Sequence, residues 1–246
     1  MPPNVVDTVV EENRVPSNQE TVLYPPSTVS MDNYALRTFQ SSLVLLANIL
    51  IGATVGAAII FSFNGGLPLN ATMQHIVLCV LGYQLLMAQA ILSLCPTNGW
   101  SLHLKFVDKR RAHWILQLSG SILAIVGSFI KIVDKSVHWN SLHGKFGLVA
   151  LVFTVVSLVN GLTSLWAFEI RKYIPPNISK LTHICFGIIA FVSSSISLCF
   201  GFDKMFFKGW ASEPVSNTFI SFTAIFTFII VINPLIVFAM KLKNLI

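Results

Sequence analysis

Six long runs of apolar residues follow one another along the chain, and short polar segments separate them. Each run is long enough to cross the ~30 Å hydrocarbon core of a bilayer as a helix, which takes roughly 20 residues. The alternation of apolar and polar positions that is typical of a membrane β-barrel is absent. The pattern therefore predicts an all-α integral membrane bundle of six helices. The runs are residues 38–63, 73–94, 112–133, 142–168, 181–202 and 218–240.

The composition excludes the main soluble classes of protein. Of the 246 residues, 54% are hydrophobic and only 11% are charged, whereas a soluble domain carries about 25% charged residues. A soluble globular enzyme, a disordered chain and a disulfide scaffold are therefore excluded. The four cysteines fall in or beside the second and fifth runs without CxxC spacing, so we interpret them as buried free thiols.

The N-terminal segment differs in composition from the rest of the chain. Proline, asparagine, serine and glutamate interrupt it, and it shows little periodicity. Such a segment buries too little apolar surface to offset the entropy lost on ordering. We predict a disordered cytosolic tail at residues 1–36 and a six-span transmembrane domain at residues 37–246.

Lysine and arginine are distributed unevenly between the two sides that six alternating spans define. Eleven of the sixteen basic residues fall on the side of the N-terminus, and the run Lys109-Arg110-Arg111 contributes most to this bias. Because cytosolic loops carry an excess of basic residues, both termini are predicted to be cytosolic. The net charge of +6 follows from the same bias. We find no nucleic-acid-binding motif, and the sequence leaves open whether an endomembrane or the plasma membrane holds the protein.

Four of the six histidines stand within about the first turn of four consecutive spans. Spans two and four begin on the outer side of the membrane, so His75 and His143 share one depth. Spans three and five begin on the cytosolic side, so His113 and His183 share the other. The spacing thus predicts two facing pairs of imidazoles inside a four-helix core, one near each membrane surface.

Two facing imidazoles are suited to holding a haem iron as its two axial ligands. One turn after the histidines lie Cys79, Gln117, Gly147 and Gly187, and three of these four are small enough to leave room for a porphyrin. A zinc or copper site explains the pattern less well, since pairs near opposite surfaces cannot converge on one ion. The alternatives are a quinone-linked or complex-associated b cytochrome, and a cofactor-free transporter or scaffold whose histidines are simply hydrogen-bonded.

Several short segments resemble the cytochrome b561 family, in its domain-containing transmembrane reductase type. The resemblance implies two b-type haems, with His75 and His143 holding the outer haem and His113 and His183 the inner one. It also implies an ascorbate-dependent reductase that takes electrons from cytosolic ascorbate and delivers them to monodehydroascorbate or ferric iron on the other side. The oligomeric state is left open between a monomer and a homodimer. The resembling segments are Ala35-Leu36-Arg37-Thr38, the run from Arg111 to Leu118, His143-Gly144, and His183 with Gly187.

Basic residues near the histidines are candidates for substrate contact. Lys105, Lys109 and Arg111 precede His113, and Lys180 precedes His183. Because ascorbate is a small anion at neutral pH, cationic side chains beside the inner site would attract it. His138 lies near His143 and is a candidate at the outer acceptor site. The alternative is that the basic residues only fix orientation and that His138 is an interfacial side chain.

Overall fold

The computed structural model describes residues 31–165 and 176–243, and its regular elements over those ranges are helices. Residues 80–87 form a π-helical segment between α2 and α3, and residues 99–101 form one 3₁₀ turn. The α-helices are α1 (Met31–Phe63), α2 (Ala71–Cys79), α3 (Ala88–Ser93), α4 (Phe106–Asp134), α5 (Leu142–Leu165), α6 (Pro176–Phe202), α7 (Met205–Ala211) and α8 (Glu213–Lys243).

Six spans within the described ranges are long and apolar enough to cross a bilayer. The second span runs through α2, the π-helical segment and α3 as one continuous helix, Ala71–Ser93. The other spans correspond to α1, α4, α5, α6 and α8. The predicted six-helix membrane bundle is confirmed, and the protein is an integral, multi-pass membrane protein.

The boundary of the predicted tail differs from the structure in one respect. Helix α1 already begins at Met31, so the last residues of the predicted 1–36 segment belong to a helix. The rest of that segment, residues 1–30, lies outside the described residues. Arg171 and Lys172, which contribute to the predicted orientation, lie outside them as well.

The four helices that carry the histidines pack together, and the first and last spans pack against them. The second span lies along α4, and α5 lies along α6, while α8 contacts both α6 and α1. The main apolar cluster joins α1 and α8 to the second span and α6, around side chains such as Ile51, Phe191 and Phe226. A smaller cluster, formed by Tyr83, Met87, Ala124 and Ala150, lies between the four core helices.

Two glycines allow the second span and α4 to touch at the backbone. A Cβ atom added at Gly82 would lie 2.7 Å from both the amide nitrogen of Ala124 and the carbonyl oxygen of Gly120. A Cβ atom added at Gly120 would lie 2.8 Å from the carbonyl oxygen of Gly82. Small residues allow such close approach of membrane helices, which associate mainly through packing.

We expect Gly82→Ala to destabilise the bundle, because the methyl group meets backbone that cannot turn away. Overpacking of this kind costs about 1–3 kcal/mol. The loss should appear as a lower melting temperature of the detergent-purified protein. This temperature is measured by size-exclusion chromatography of samples that have been heated to increasing temperatures. Gly56→Ala in α1 is the matched control, since an added Cβ there meets nothing within 4 Å. Equal melting temperatures for the two variants would contradict the packing argument.

Candidate functional site

The structure brings the four predicted histidines together in two pairs. His75 on α2 faces His143 on α5, with ring centres 6.1 Å apart and ring planes at 85°. His113 on α4 faces His183 on α6, with ring centres 6.2 Å apart and ring planes at 87°. The same two pairs are predicted from the depth of each histidine in the membrane. We call His75 and His143 the first pair, and His113 and His183 the second pair.

Each imidazole donates a hydrogen bond from Nδ1 to a backbone carbonyl of a neighbouring helix. A carbonyl oxygen only accepts, so the proton lies on Nδ1 and Nε2 keeps a free lone pair. A metal-bound histidine usually donates its other ring N–H in this way, which fixes the tautomer and the ring orientation. The contacts are His75 to Gly127 at 2.9 Å, His113 to Ala90 at 2.8 Å, His143 to Ser197 at 2.8 Å and His183 to Ser157 at 3.1 Å.

The separation of the rings fits one metal ion between the two Nε2 atoms of each pair. A metal–imidazole bond is about 2 Å long and the ring centre lies roughly 1 Å behind the nitrogen, so two trans imidazoles have ring centres about 6 Å apart. The observed separations, 6.1 and 6.2 Å, match this value. Haem iron takes four equatorial nitrogens from the porphyrin and needs only two protein ligands. The donor set therefore fits haem.

A protein-only metal site requires more ligands than either pair provides. Structural zinc has four protein ligands and catalytic zinc has three. Among the residues that the structure describes, no three histidine, cysteine, aspartate or glutamate side chains lie close enough to hold one ion. Among metal groups, the two-imidazole arrangement therefore fits one that brings its own further ligands.

A cavity of about 550 Å³ adjoins the first pair. Cys79 and Gly147, two of the residues one turn after a histidine, line it as the sequence predicts. Gly147 also lies against α6, where its added Cβ would be 3.3 Å from the hydroxyl of Ser197, and Gly187 lies against α5, where its added Cβ would be 3.5 Å from the hydroxyl of Ser157. Gln117 has a buried side-chain oxygen with no hydrogen-bond partner within the described structure. Small size one turn after the histidine therefore serves helix contact at both pairs, and at the first pair it also leaves space for the cavity.

Basic side chains surround the mouth of this cavity. Lys131, Lys135, His138 and Lys204 all line it. Lys131 donates to Thr72 at 2.7 Å and pairs with Asp134, and Nε2 of the exposed His138 donates to the Ile132 carbonyl at 2.7 Å. Sequence reasoning singled out His138 but missed Lys204, which follows α6 and comes near the first pair only in the folded chain.

Helix α7 closes one side of the cavity with Phe206 and Phe207. Lys208 on this helix forms an ion pair with Asp203 at 2.6 Å. That contact raises the pKa of the Lys208 ammonium group, chiefly through the hydrogen bond. The lysine therefore stays charged at neutral pH and ties α7 to the end of α6.

The candidate substrate residues near the second pair lie on the surface. Arg111 forms an ion pair with Asp108 at 2.9 Å, and two thirds of its side chain is exposed. Lys105 occupies the N-cap position of α4, and its carbonyl oxygen accepts the backbone N–H of Lys109. Lys180 is exposed near the start of α6. These side chains are accessible to a solute that approaches the end of the bundle where His113 and His183 stand.

Comparison with known proteins supports what the histidine geometry indicates. A sequence model described as eukaryotic cytochrome b561 matches residues 74–208, a segment that contains both histidine pairs. The chain belongs to the cytochrome b561 family. Membership implies a b-type haem as cofactor, in agreement with the donor set.

Curated relatives of this family member are transmembrane reductases. The chain is 28% identical to the transmembrane reductase CYB561D2 of Mus musculus and to that of Homo sapiens, over 137 residues that cover 54% of this chain. It is 26% identical to the Bos taurus protein over 177 residues, which cover 70% of this chain and 77% of that relative. The chain spans 61% of the mouse and human relatives.

The carbonyl acceptors occupy a regular position that sequence reasoning missed. Gly127, Ser157 and Ser197 each lie 14 residues after the histidine of their own helix, whereas Ala90 lies 15 residues after His75. Only the second span contains a π-helical segment, Val80–Met87, between its histidine and its acceptor. A π-helical insertion adds one residue to a helix, so it accounts for the difference of one. The equal spacing between histidine and acceptor in three helices is the feature of the sequence from which the acceptors could have been predicted.

This register predicts unequal tolerance to single-residue deletion. Deleting Leu85 from the π-helical segment should convert it to regular α-helix and keep the Ala90 carbonyl aligned with His113. Deleting Leu118 from α4 should rotate Gly127 by about 100° relative to His113. We expect the first variant to elute as a single species with bound haem, and the second to lose haem or aggregate. Equal loss in both variants would contradict this role of the π-helical segment.

Proposed function

We propose that this cytochrome b561 family member transfers electrons across the membrane through two b-type haems, one at each histidine pair. The observation that carries the proposal is the pair of matched sites. Each has two imidazoles at the spacing of trans axial ligands and an Nδ1–H bonded to a carbonyl. The names of the relatives, transmembrane reductases, agree with this activity.

The residues of the chain would hold the cofactors. His75 and His143 would hold the haem on the non-cytosolic side, and His113 and His183 the haem on the cytosolic side. When bound, haem supplies a reversible one-electron couple between ferric and ferrous iron. With two histidines of the chain holding each haem, the iron would offer no free position to a substrate, which would favour electron transfer.

The proposed donor is cytosolic ascorbate. Ascorbate monoanion gives up one electron and one proton and becomes monodehydroascorbate. Arg111, Lys109, Lys105 and Lys180 would attract the anion to the end of the bundle that carries the second pair. Assigning this end to the cytosol follows from the excess of basic residues there, and it puts both termini on the cytosolic side.

The proposed acceptor is monodehydroascorbate or ferric iron on the other side. Monodehydroascorbate would take up one electron and one proton to return to ascorbate, and ferric iron would take up one electron to become ferrous iron. The basic side chains Lys131, Lys135, Lys204 and His138 around the cavity at the first pair favour an anionic acceptor, either the radical anion or an anionic ferric chelate.

Purified protein is expected to contain two haems per chain. Visible spectra of the reduced protein and a haem-to-protein ratio measure this directly. His113→Ala or His183→Ala should remove the haem of the second pair, and His75→Ala or His143→Ala that of the first, so each variant should keep about one haem. A colourless wild-type protein would favour the cofactor-free alternative, and loss of the same haem in His75→Ala and His113→Ala would refute the pairing.

Ascorbate as the donor has a separate test. Stopped-flow mixing of ascorbate with the oxidised protein should reduce haem rapidly, and Arg111→Ala should raise the ascorbate concentration for half-maximal rate several-fold without changing haem content. Arg37→Ala is the matched control, an exposed basic residue near the start of α1, a helix that packs on α8 and the second span. Equal ascorbate concentrations for half-maximal rate in both variants would show that Arg111 only sets the orientation of the protein in the membrane. Reduction by a quinol but not by ascorbate would favour the quinone-linked alternative.

A further inference from the structure

Helices α5 and α6 share one pattern of four residues at identical spacing. On α5 the residues are His143, Gly147, Ser157 and Gly161, and on α6 they are His183, Gly187, Ser197 and Gly201. The two helices pack against each other along their length and run in opposite directions. The histidine end of each helix therefore meets the serine and the second glycine of the other.

The contacts at His143 involve both polar groups of Ser197. Nδ1 of His143 lies 2.8 Å from the Ser197 carbonyl oxygen and 3.3 Å from its hydroxyl oxygen. The same hydroxyl donates to the backbone carbonyl of His143 at 2.9 Å. Ser197 thus accepts from the ring and donates to the backbone of one residue, which restricts the rotation of the imidazole.

The contacts at His183 repeat the two contacts to the ring nitrogen. Nδ1 of His183 lies 3.1 Å from the Ser157 carbonyl oxygen and 3.4 Å from its hydroxyl oxygen. These distances are longer than those at His143. The adjoining glycine is closer, because a Cβ atom added at Gly161 would lie 3.0 Å from Cε1 of the His183 ring. At Gly201 the corresponding distances to the His143 ring are 3.4 and 3.5 Å.

We propose that Ser197 with Gly201, and Ser157 with Gly161, are reciprocal positioning elements for His143 and His183. In each element the serine carbonyl accepts from Nδ1–H and fixes the tautomer, and the serine hydroxyl lies beside the same nitrogen and helps to orient the ring. The glycine leaves space for the ring beside the opposing helix. Each of the two helices therefore supplies the ligand of one site and the positioning element of the other. This inference rests on the proposed function, in which both histidines are haem ligands.

The differences in distance predict which residue matters more at each site. A hydrogen bond from Nδ1 raises the basicity of a coordinating imidazole, and a more basic ligand stabilises ferric over ferrous iron. Each serine-to-alanine variant keeps the backbone carbonyl and removes only the hydroxyl oxygen near Nδ1. Ser197→Ala should therefore raise the midpoint potential of the haem at the first pair slightly, and Ser157→Ala should raise that at the second pair by less. Conversely, Gly161→Ala should deplete the haem of the second pair more than Gly201→Ala depletes that of the first.

The experiment is a potentiometric titration of the purified protein, which measures the midpoint potential of each haem. Haem content and EPR spectra of the ferric form are measured on the same samples. The histidine variants assign each signal to a pair. Ser197→Thr keeps a hydroxyl group and should therefore have the wild-type midpoint potential. Ser62→Ala is the control for loss of a buried hydroxyl, since Ser62 on α1 bonds to the Ala58 carbonyl of its own helix. Gly56→Ala is the control for a helical glycine.

The outcomes separate this inference from the proposed function. Wild-type protein without haem would overturn both. Wild-type protein with two haems, combined with serine variants that shift both potentials equally or neither, would overturn the inference and leave the function standing. If Gly161→Ala does not fold, the serine variants, which remove one oxygen atom and add no volume, still decide the question.

Discussion

The need to satisfy the second nitrogen of each half-buried imidazole constrains the whole core. A bilayer interior offers no water to accept a hydrogen bond, and an unpaired polar group there costs several kcal/mol. Helical carbonyls already accept one bond from their own helix, but each oxygen has a second lone pair. All four imidazoles use such a carbonyl on a neighbouring helix. Its residue is small in every case, namely Gly127, Ala90, Ser157 and Ser197, so the ring can reach the backbone.

This constraint couples the two sites through the helices. The acceptor for a histidine of one pair lies on a helix that carries a histidine of the other pair, and the two positions are separated by about four turns, or about 21 Å of helical rise. The second span and α4 exchange bonds in this way, and so do α5 and α6. A shift of one helix along its axis would therefore disturb both pairs at once, which restricts the core to one arrangement.

Hydrophobic runs and depth matching predict the spans and the two histidine pairs, because both depend on position along a single helix. The hydrogen-bond acceptors could not be predicted in this way, because they depend on which faces of two helices meet. Ser157 and Ser197 look like ordinary small residues of membrane helices until the contacts are known. Lys204 is distant from His143 in sequence and joins the cavity only through the packing of α6 on α5. Gly147 and Gly187 show the limit of the i+4 argument, since each faces a serine of the opposing helix.

The π-helical segment distinguishes the pair formed by the second span and α4 from the pair formed by α5 and α6. The need of each imidazole for a carbonyl acceptor explains how this segment is tolerated. Three helices place the acceptor 14 residues after the histidine, and the second span uses 15. Without a wider turn, the extra residue would rotate Ala90 by about 100° and point its carbonyl away from His113. The π-helical turns absorb that residue. They include Gly82, where the backbone of α4 is in close contact. The irregularity thus preserves the alignment that regular helices achieve at the other three histidines.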